Sequence, residues 1–561
     1  MEVFLAVFSV LLATVSAVFD PYHNVQPPNI FLMSEPGPGT IDWSEEDKYN
    51  LAITPSPQGN LYFKKANNKL FLGGISPEEN TTKFWRDLSM DVVHKKAAAT
   101  PTERVAKNLI LFLGDGMSLA NLAAARIYLG QLRNQAGENS FLSFEEFPYT
   151  GLAKTYCVDS QVADSACSAT AYLSGVKGNM YTLGVTAAVG VKDWVNMKNE
   201  SLHTTSILKW AQDAGKSTGI VSTSRITDAS PAATYAHSAY RKWQTDLDIK
   251  NDEKVKDPTG VKDIASQLIE DSPGNEFKVI LGGGWDAFLP NKTEETPVMQ
   301  GARGDDKDLI QKWKSSKKEA NKNGVFITRR DQLQSLDVNN IDYLLGLFQS
   351  GNMKYNKHVE ENEQPTLSEM TKSAIKMLQK DAGGFVLFVE GGLIDIAHHE
   401  NKAHLALDET VELHKAVKVA LEMTHDNETL IVVTADHAHT LNFNGYPKRG
   451  GDILTYVQGT KDLIAYSTLS YANGPHTPRF NPQGEGQYNI INDKRDKPDY
   501  TFQTINLLPS GTHDGQDVTV FANGPWAHLL VGNYEQTVIP YVMGYAAQIG
   551  PAAKAFNLGS Q

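Results

Sequence analysis

Short apolar runs alternate with helix-length segments along most of the chain, from about residue 78 onward. Several of these runs end at glycine or at an acidic residue, as at Asp115 and Glu390. The runs lie at 108–113, 218–221, 277–281, 384–389 and 429–433. Such spacing indicates parallel strands, because a parallel crossover needs a connection of about a dozen residues or more. The pattern predicts an α/β fold with a doubly wound, mostly parallel central sheet and helices on both faces.

Two segments depart from this alternation. Residues 18–77 are proline-rich in their first part, and apolar runs on either side of residues 66–68 predict a hairpin within 60–74. Residues 446–508 are rich in Gly, Pro, Asn and Tyr and predict a surface insertion. We therefore predict a signal peptide at 1–17, an N-terminal extension of unknown role at 18–77 and a main domain at 78–561.

The first 17 residues have an apolar centre followed by the small residues Ser16 and Ala17, which is typical of a secretory signal peptide. An internal apolar segment is the alternative, because Glu2 stands where a basic residue is usual. Glycosylation sequons, which fit secretion, begin at Asn80, Asn199, Asn291 and Asn427. No later run reaches the ~18 apolar residues of a membrane span, and the C-terminus has no hydrophobic tail of the GPI-anchor type. These features predict a secreted, extracellular protein without a membrane anchor.

The chain has only 2 cysteines, Cys157 and Cys167. In an oxidising compartment they would form one disulfide bond. Two free buried thiols are the alternative. With a single cross-link at most, the stability of the fold must come from its hydrophobic core.

The net charge of the chain argues against one class of binding partner. The 561-residue chain has a formal net charge of −13. Nucleic acid is therefore not expected as a partner, because an acidic protein does not attract a phosphate backbone. An anionic substrate would require an active site whose local charge is opposite to that of the whole protein.

Three predicted strands end at acidic residues, namely Asp115, Glu390 and Asp436. In open α/β sheets, ligands bind beyond the carboxyl ends of the strands. A single acid there can be a helix cap. Three acids on one edge would concentrate negative charge, which is costly unless cations lie between them. The pattern therefore predicts a metal site.

Histidines accompany these acids. Asp395 and His399 are four residues apart on a predicted helix and share one face, whereas His398 points elsewhere. Further candidates are His437, His439 and His513. A mixed set of Asp and His ligands without cysteine favours Zn²⁺ in an open, catalytic site.

Ser165 is the candidate nucleophile. It begins a small-residue segment that is predicted to form a helix ending near Gly175. Free N–H groups and the helix dipole favour an anion at that end. A plain N-cap formed by Asp164 and Ser165 is the alternative. No Gly-x-Ser-x-Gly sequence surrounds Ser165, so a Ser-His-Asp hydrolase is not indicated.

Several separated motifs together resemble those of the alkaline phosphatase family, over about residues 83–550. The motifs are NLILFLGDGM, DSACSATAYLSGVK, ITDASPAATYAHSAYRKW, FVEGGLIDIAHHE, TADHAHT and THDGQDV. The resemblance implies a metal-dependent enzyme that hydrolyses phosphate monoesters to an alcohol and inorganic phosphate through a phosphoserine intermediate on Ser165. It also implies two Zn²⁺ and one Mg²⁺ per chain, and a homodimer.

The same resemblance implies a role for each candidate ligand. The first zinc ion would be held by Asp395, His399 and His513, and the second by Asp115, Asp436 and His437. The magnesium ion would be held by Asp115, Ser230 and Glu390. Arg241 would bind two phosphate oxygens, and His439 would orient a carboxylate that ligates zinc.

Some positions depart from the family pattern. Asp228 stands where animal members commonly have histidine, and an acid there should strengthen Mg²⁺ binding. Ile396 and Leu393 replace polar or basic residues near the first zinc site, so we expect activity with an altered rate or pH optimum. An additional Ca²⁺ ion, as in vertebrate members, is not placed by the sequence, and Asp305 or Asp306 are candidates to contribute to it.

Other functions are less well supported. A sulfatase on the same fold would need a Cys-x-Pro-x-Arg motif, which neither cysteine provides. A phosphodiesterase is disfavoured because Arg241 suits a terminal phosphate. A catalytically impaired, secreted binding or carrier protein on the same fold is the alternative from a different class, to which Ile396, Leu393 and the N-terminal extension lend support.

Overall fold

The computed structural model describes residues 51–55, 61–65, 69–291, 299–458, 464–475 and 488–557. The chain divides into two compact units, Met1–Ala66 and Asn67–Gln561. The predicted signal peptide at 1–17 lies outside the described residues. The proposed boundary at residue 77 differs from this division and stays a prediction.

In the first unit, strand β1 (Leu51–Pro55) pairs antiparallel with β2 (Leu61–Lys65), with Leu51 opposite Lys65. The predicted hairpin within 60–74 is therefore wrong, because its first arm pairs with the preceding segment. In the second unit, Leu70 instead forms an isolated antiparallel bridge with Gly451.

The second unit contains all other strands and helices that the structure describes. The strands are β3 (Asn108–Gly114), β4 (Tyr149–Lys154), β5 (Ser217–Arg225), β6 (Val279–Gly283), β7 (Gly324–Ile327), β8 (Tyr343–Leu347), β9 (Phe385–Gly391), β10 (Thr429–Thr434), β11 (Ala438–His439), β12 (Leu441–Phe443), β13 (Tyr456–Gln458), β14 (Ala465–Ser467), β15 (Leu469–Gly474), β16 (Thr504–Leu507), β17 (His513–Asp514), β18 (Val518–Asn523) and β19 (Gly532–Glu535). The α-helices are α1 (Thr82–Ala98), α2 (Leu119–Leu132), α3 (Ser165–Ser174), α4 (Ile207–Asp213), α5 (Ala229–Ala232), α6 (Asp246–Lys250), α7 (Ile264–Glu270), α8 (Leu309–Glu319), α9 (Arg330–Gln334), α10 (Leu367–Leu378), α11 (Leu393–His399), α12 (Ala403–Met423), α13 (Val538–Ala547) and α14 (Gly550–Ala555).

Ten strands form the central sheet, in the order β19-β4-β18-β10-β3-β9-β5-β6-β8-β7. The six neighbouring strands from β10 to β8 are parallel, and β7 is parallel to β8. The edge beyond β10 is mixed, because β18 pairs antiparallel with both β10 and β4. The predicted α/β class with a mostly parallel sheet is confirmed. The five predicted strands correspond to β3, β5, β6, β9 and β10.

The central strands are buried along their whole length. Every residue of β3, β9 and β10 is buried, so both faces of these strands are covered by the rest of the domain. Strand β3 lies between β9 and β10, with Leu113 opposite Glu390 on one side and Thr434 on the other. The carboxyl ends of these three strands therefore meet at one edge of the sheet.

The predicted surface insertion at 446–508 contains short strands outside the central sheet. Strands β13 and β14 pair antiparallel, while β15 joins β12 and β16 in a small three-stranded sheet. Strand β12 precedes residue 446, so the small sheet begins slightly earlier than predicted. Ile505 and Leu507 on β16 are 61% and 59% exposed.

Candidate active site

Three acids meet at the carboxyl edge of the sheet, as the sequence predicts. Asp115 follows β3 directly, Glu390 is the second-last residue of β9, and Asp436 lies two residues beyond β10. All three are buried. The backbone between them is tight, since the Gly116 N–H donates to Asp436 Oδ1 at 3.0 Å. A Cβ on Gly116 would lie 2.5 Å from the His439 ring, so this approach requires glycine.

Asp395 is the centre of one cluster of candidate metal ligands. Its Oδ2 lies 3.3 Å from His399 Nε2, one turn further along α11. Its Oδ1 accepts a hydrogen bond from His439 Nε2 and lies 3.4 Å from His513 Nε2. One ligand atom from each of these four residues lies within 4.8 Å of the others.

Backbone contacts set the ring orientation of two of these histidines. His399 Nδ1 donates to the Gly511 carbonyl at 2.5 Å, and His513 Nδ1 donates to the Ala163 carbonyl at 2.8 Å. With Nδ1 of each ring bonded to a carbonyl, both Nε2 atoms point toward Asp395, and they lie 3.1 Å from each other. Two imidazole nitrogens and a carboxylate that converge in this way are a donor set that fits a zinc ion, which would displace the proton from His399 Nε2.

A two-residue ladder brings His439 and His513 together. Strands β11 and β17 pair antiparallel, with His439 opposite His513 and Ala438 opposite Asp514. The 446–508 insertion leaves and re-enters the domain between these strands. His439 therefore lies beside Asp395 because of the same pairing that positions His513.

A second cluster contains Asp115, Asp436 and His437, all buried. His437 Nε2 lies 3.0 Å from Asp436 Oδ2 and 3.6 Å from Asp115 Oδ1. It also lies 3.2 Å from Ser165 Oγ. The structure thus places the candidate nucleophile against this cluster.

Glu390 and Ser230 lie beside the second cluster. Glu390 Oε2 accepts hydrogen bonds from Ser222 and, at 2.9 Å, from Ser224, both on β5. Asp115 Oδ1 and Ser230 Oγ are buried without a hydrogen-bond partner among the described residues. Buried oxygen atoms are normally paired, and a hard cation such as Mg²⁺ would satisfy these two.

The pKa values of the three buried acids at this edge of the sheet also favour a bound cation. Burial, reinforced by the charge of Asp436, raises the pKa of Asp115 well above its usual range. Burial also raises the pKa of Glu390 to about 7, and burial together with Asp395 raises the pKa of Asp436 to about 6. The charges of these three acids are therefore poorly compensated by protein groups, whereas His399 and His439 outweigh burial at Asp395 and hold the pKa of that carboxyl well below its usual range.

The histidines of the two clusters titrate differently. Burial lowers the pKa of His437 and of His513 to about 4, so both are neutral at physiological pH. Burial opposes protonation of His399 too, but the Asp395 carboxylate outweighs it and raises the pKa of His399 to about 9. Neutral imidazoles are the form that ligates metal.

Ser165 is the first residue of α3, and Asp164 is its N-cap, accepting from the Cys167 N–H. The helix ends at Gly175, whose φ is 73°. Arg241 donates from Nη1 to Asp164 Oδ2 and from Nη2 to Asp228 Oδ1, each at 3.0 Å. Asp164 is therefore a helix N-cap, which is the alternative that the sequence analysis gives for it. It is also a hydrogen-bond partner of Arg241, the candidate phosphate-binding arginine.

These groups open onto a cavity of about 700 Å³. Ser165, Arg241, His399 and His513 line its polar side. Ile396 also lines the cavity, whereas Leu393 is buried and its N–H donates to Thr223 Oγ1. The cavity is large enough for a small organic phosphate.

Other predicted residues lie as follows. His398 is fully buried, with Nδ1 2.8 Å from the Tyr471 hydroxyl and its ring centroid 5.2 Å from that of His439. Cys157 and Cys167 form a disulfide bond. Asp305 accepts from both Nε and Nη2 of the buried Arg303, and this ion pair gives no support for a calcium ion at Asp305.

Several polar residues near the site were not among the sequence candidates. Ser222 and Ser224 contact Glu390, and Ser168 Oγ lies 3.4 Å from Asp436 Oδ2. Tyr172 is fully buried on α3, and its hydroxyl has no hydrogen-bond partner among the described residues. Alternating serines at the end of an apolar strand are a usable signal for Ser222 and Ser224. Ser168 lies three residues after Ser165, on the same helix face.

The sequence is similar to those of known alkaline phosphatases over most of its length. Residues 106–549 match the family described as alkaline phosphatase. A membrane-bound alkaline phosphatase from Bombyx mori is 44% identical over 481 residues, covering 85% of this chain and 87% of that protein. The tissue-nonspecific isozyme of alkaline phosphatase from Gallus gallus is 43% identical over 500 residues, covering 86% of this chain and 93% of that protein.

A solved structure shares the fold. It is a variant of the alkaline phosphatase from the Antarctic bacterium TAB5, in which an aspartate replaces a histidine and Mg is bound in the M3 site. The TM-score is 0.55 at 23% identity, over 80% of this chain and 99% of that chain.

Proposed function

The chain belongs to the alkaline phosphatase family, whose members hydrolyse phosphate monoesters, and we propose that it does so through a phosphoserine intermediate on Ser165. One observation carries the proposal: Ser165 Oγ lies 3.2 Å from His437 Nε2, between two carboxylate–histidine clusters and the Arg241 guanidinium. No described feature favours the alternative of an impaired carrier protein, since the candidate groups lie together around an open cavity.

Two zinc ions and one magnesium ion complete the proposal. Asp395, His399 and His513 would hold the first zinc ion, and Asp115, Asp436 and His437 the second. Asp115, Ser230 and Glu390 would hold magnesium, with Asp228 nearby. When bound, these cations supply positive charge that stabilises the transferred phosphoryl group and lowers the pKa of the attacking oxygen. The solved TAB5 variant with aspartate and bound Mg supports an acid beside a magnesium site.

The protein groups have distinct tasks in the reaction. The Ser165 oxygen attacks phosphorus, the bond from phosphorus to the alcohol oxygen breaks, and the alcohol leaves with a proton. Water then attacks the phosphoserine, releasing inorganic phosphate and restoring Ser165. Ser165 is the first residue of α3, so the positive dipole end of the helix lies at the reacting group and favours its negative charge. Arg241, aligned by Asp164 and Asp228, would bind two phosphate oxygens bidentately.

The direct test is hydrolysis of a chromogenic aryl phosphate at pH 8–10, with and without a chelator. We expect turnover that is lost on chelation and recovers with Zn²⁺ and Mg²⁺. The Ser165→Ala variant should lose trapping of a ³²P-labelled phosphoenzyme. Metal-independent turnover, or labelling that persists in Ser165→Ala, would contradict the proposal. An aryl sulfate is the matched control substrate and should not be hydrolysed.

A homodimer is part of the proposal. Helix α1 has no buried residue, although Trp85, Leu88 and Val93 on it are apolar and about half exposed. The small sheet of the insertion exposes Ile505 and Leu507. Apolar surface of this kind is typical of an interface. Sedimentation of the purified protein should give twice the mass of its denatured chain, and charged substitutions at Ile505 and Leu507 should give monomers.

Secretion and glycosylation are proposed from the sequence and from surface position. Asn80, Asn199, Asn291 and Asn427 are all exposed. Among the described residues, no helix is long and apolar enough to cross a membrane. Expression in insect cells should release the protein into the medium, and enzymatic removal of N-glycans should lower its mass. Retention in the cells without a mass shift would contradict both proposals.

A further inference from the structure

The disulfide between Cys157 and Cys167 closes a short loop that ends in the first turn of α3. Cys167 lies two residues after Ser165, and the two Cα atoms are 5.8 Å apart. Both cysteines are buried and pack against Ala163 and the side of Met180. The loop between them belongs to no helix or strand until α3 begins. The cross-link thus joins the nucleophile helix to the chain that leads into it.

This loop supports two other functional groups besides Ser165. The Ala163 carbonyl accepts from His513 Nδ1 at 2.8 Å and so sets which nitrogen of His513 faces Asp395. Asp164 Oδ2 accepts from Arg241 Nη1 at 3.0 Å. Three consecutive residues therefore orient a candidate zinc ligand, align the candidate phosphate-binding arginine and supply the nucleophile.

The remaining restraints on the loop are ordinary hydrogen bonds. The Cys157 N–H donates to the Ser160 carbonyl at 3.0 Å, and the Met180 N–H donates to Asp159 Oδ1 at 2.8 Å. Val158, Asp159 and Gln161 are exposed, so water competes for this part of the loop. The Val158 N–H also donates to the Gly178 carbonyl at 3.0 Å, and the Tyr181 N–H donates to Asp164 Oδ1 at 3.0 Å. Segments with exposed backbone and few packed apolar side chains have low local stability, and a covalent link limits their motion.

We propose that the Cys157–Cys167 disulfide is a positioning element for catalysis, which holds Ala163, Asp164 and Ser165 in register with His513 and Arg241. The inference rests on the proposed function, because it assumes that these groups bind and transfer phosphate. A disulfide that acted only on the unfolded chain would change the melting temperature and leave the kinetic constants of the folded enzyme unchanged. A positioning disulfide changes those constants in the folded state.

The test uses the Cys157→Ala/Cys167→Ala double variant of the full chain, with zinc and magnesium present. Alanine is preferred to the free thiols because Cys157, Asp164 and Cys167 place ligand atoms within 4.8 Å of one another, where freed thiols could bind metal. At a temperature well below melting, we expect kcat/KM for an aryl phosphate to fall about tenfold, since displacement by about 1 Å costs up to about a hundredfold. The inhibition constant of inorganic phosphate should rise in the same variant, because Arg241 loses its alignment.

A matched control separates positioning from general stability. Leu344 is buried on β8, which is separated from β9 by β6 and β5. Leu344→Ala should lower the melting temperature and leave kcat and the inhibition constant of phosphate unchanged. A folded double variant that behaves like this control, with wild-type kcat and phosphate inhibition, would overturn the proposal.

Reduction of the wild-type holoenzyme covers the case in which the double variant does not fold. The reductant is a phosphine used with saturating Zn²⁺ and Mg²⁺, and activity is measured before any alkylation, while the freed thiols are counted by alkylation in a parallel sample. Activity that falls before the far-UV circular dichroism changes supports positioning, whereas simultaneous loss overturns it. Ser165→Ala is measured in parallel. If that variant retains wild-type activity, the proposed function has failed, independently of the disulfide.

Discussion

Arg241 Nη1 donates to Asp164 Oδ2 at 3.0 Å, and this pair joins the guanidinium to the residue immediately before Ser165. The nucleophile and the proposed phosphate clamp are therefore tied through one carboxylate. Burial opposes the charge of Arg241, but Asp228 and Asp164 outweigh it and raise its pKa, so it stays protonated at alkaline pH.

Arg241→Lys should weaken the binding of phosphate. Lysine keeps the positive charge but cannot donate to two carboxylates and two phosphate oxygens with a rigid fork. Loss of one charge-assisted hydrogen bond costs about 1.5–3 kcal/mol, which is about a tenfold to hundredfold rise in the inhibition constant of inorganic phosphate. Steady-state inhibition measures this. An unchanged constant would show that Arg241 does not contact phosphate.

Asp228→His should weaken magnesium binding. Asp228 adds a carboxylate next to the proposed magnesium ligands, and replacing it with imidazole removes a hard oxygen donor. Equilibrium dialysis should show less Mg²⁺ retained per chain at equal zinc content. Asp228→Asn is the matched variant, since it keeps an oxygen to accept from Arg241 while removing the charge. Equal Mg²⁺ retention in all three proteins would exclude a role for this acid.

His439→Ala should reduce zinc retention even though His439 is not proposed as a ligand. Its Nε2 donates to Asp395 Oδ1, and loss of such a partner of a ligating carboxylate typically costs about 10–100-fold in metal affinity. Competition with a chromogenic zinc chelator measures the affinity directly. His414→Ala is the control, because His414 is a buried histidine whose Nδ1 accepts from the Ser143 N–H, on a different helix from the proposed ligands. We expect its zinc affinity to match that of the wild type.

Glu409→Gln should stabilise the protein at alkaline pH. Burial, with smaller contributions from Asp408 and Glu412, raises the pKa of Glu409 to about 8 from an ordinary value of 4.5. The folded state therefore holds a proton that the unfolded chain releases, so stability is lost as pH rises from 4.5 through 8. Glutamine keeps an oxygen that can accept the Asn356 N–H.

The melting temperature of Glu409→Gln should exceed that of the wild type at pH 9, with a smaller difference at pH 5.5. Calorimetric or fluorescence melting curves of the metal-loaded proteins measure it. An equal difference at both pH values would mean that Glu409 does not titrate with a raised pKa.

Much of the fold follows from the chain locally. The family resemblance and the α/β class are confirmed. They could be predicted because an apolar run that ends in Gly-Asp or Glu-Gly indicates both a buried strand and the position of its carboxyl end. Strands β4, β18 and β19 were not predicted from the sequence. Their composition does not distinguish them as strands, and they become strands because they pair with segments that are distant in the chain. The hairpin at 60–74 was wrong for a similar reason: its apolar residues have a partner earlier in the chain.

The candidate site could be predicted where the residues that act together are close in the sequence. Asp395 and His399 lie four residues apart on one helix, so their proximity follows from helix geometry. The serines on β5 were identifiable as strand-end polar residues, but their partner was not, because Glu390 lies about 170 residues further along the chain and reaches Ser222 and Ser224 only through the pairing of β5 with β9. The dual contact of Asp164 was missed because the sequence already explains it as a helix cap.

The two-residue ladder of β11 and β17 closes a long excursion of the chain beside Asp395. The excursion contacts the ligand helix at its base, because the Gly511 carbonyl accepts from His399 Nδ1 and the Tyr471 hydroxyl lies 2.8 Å from His398 Nδ1. Further out, Ile505 and Leu507 on β16 are exposed to solvent. The same excursion therefore has an inner part that holds the catalytic histidines in place and an outer part that sets what a partner or a bulky substrate meets at the surface.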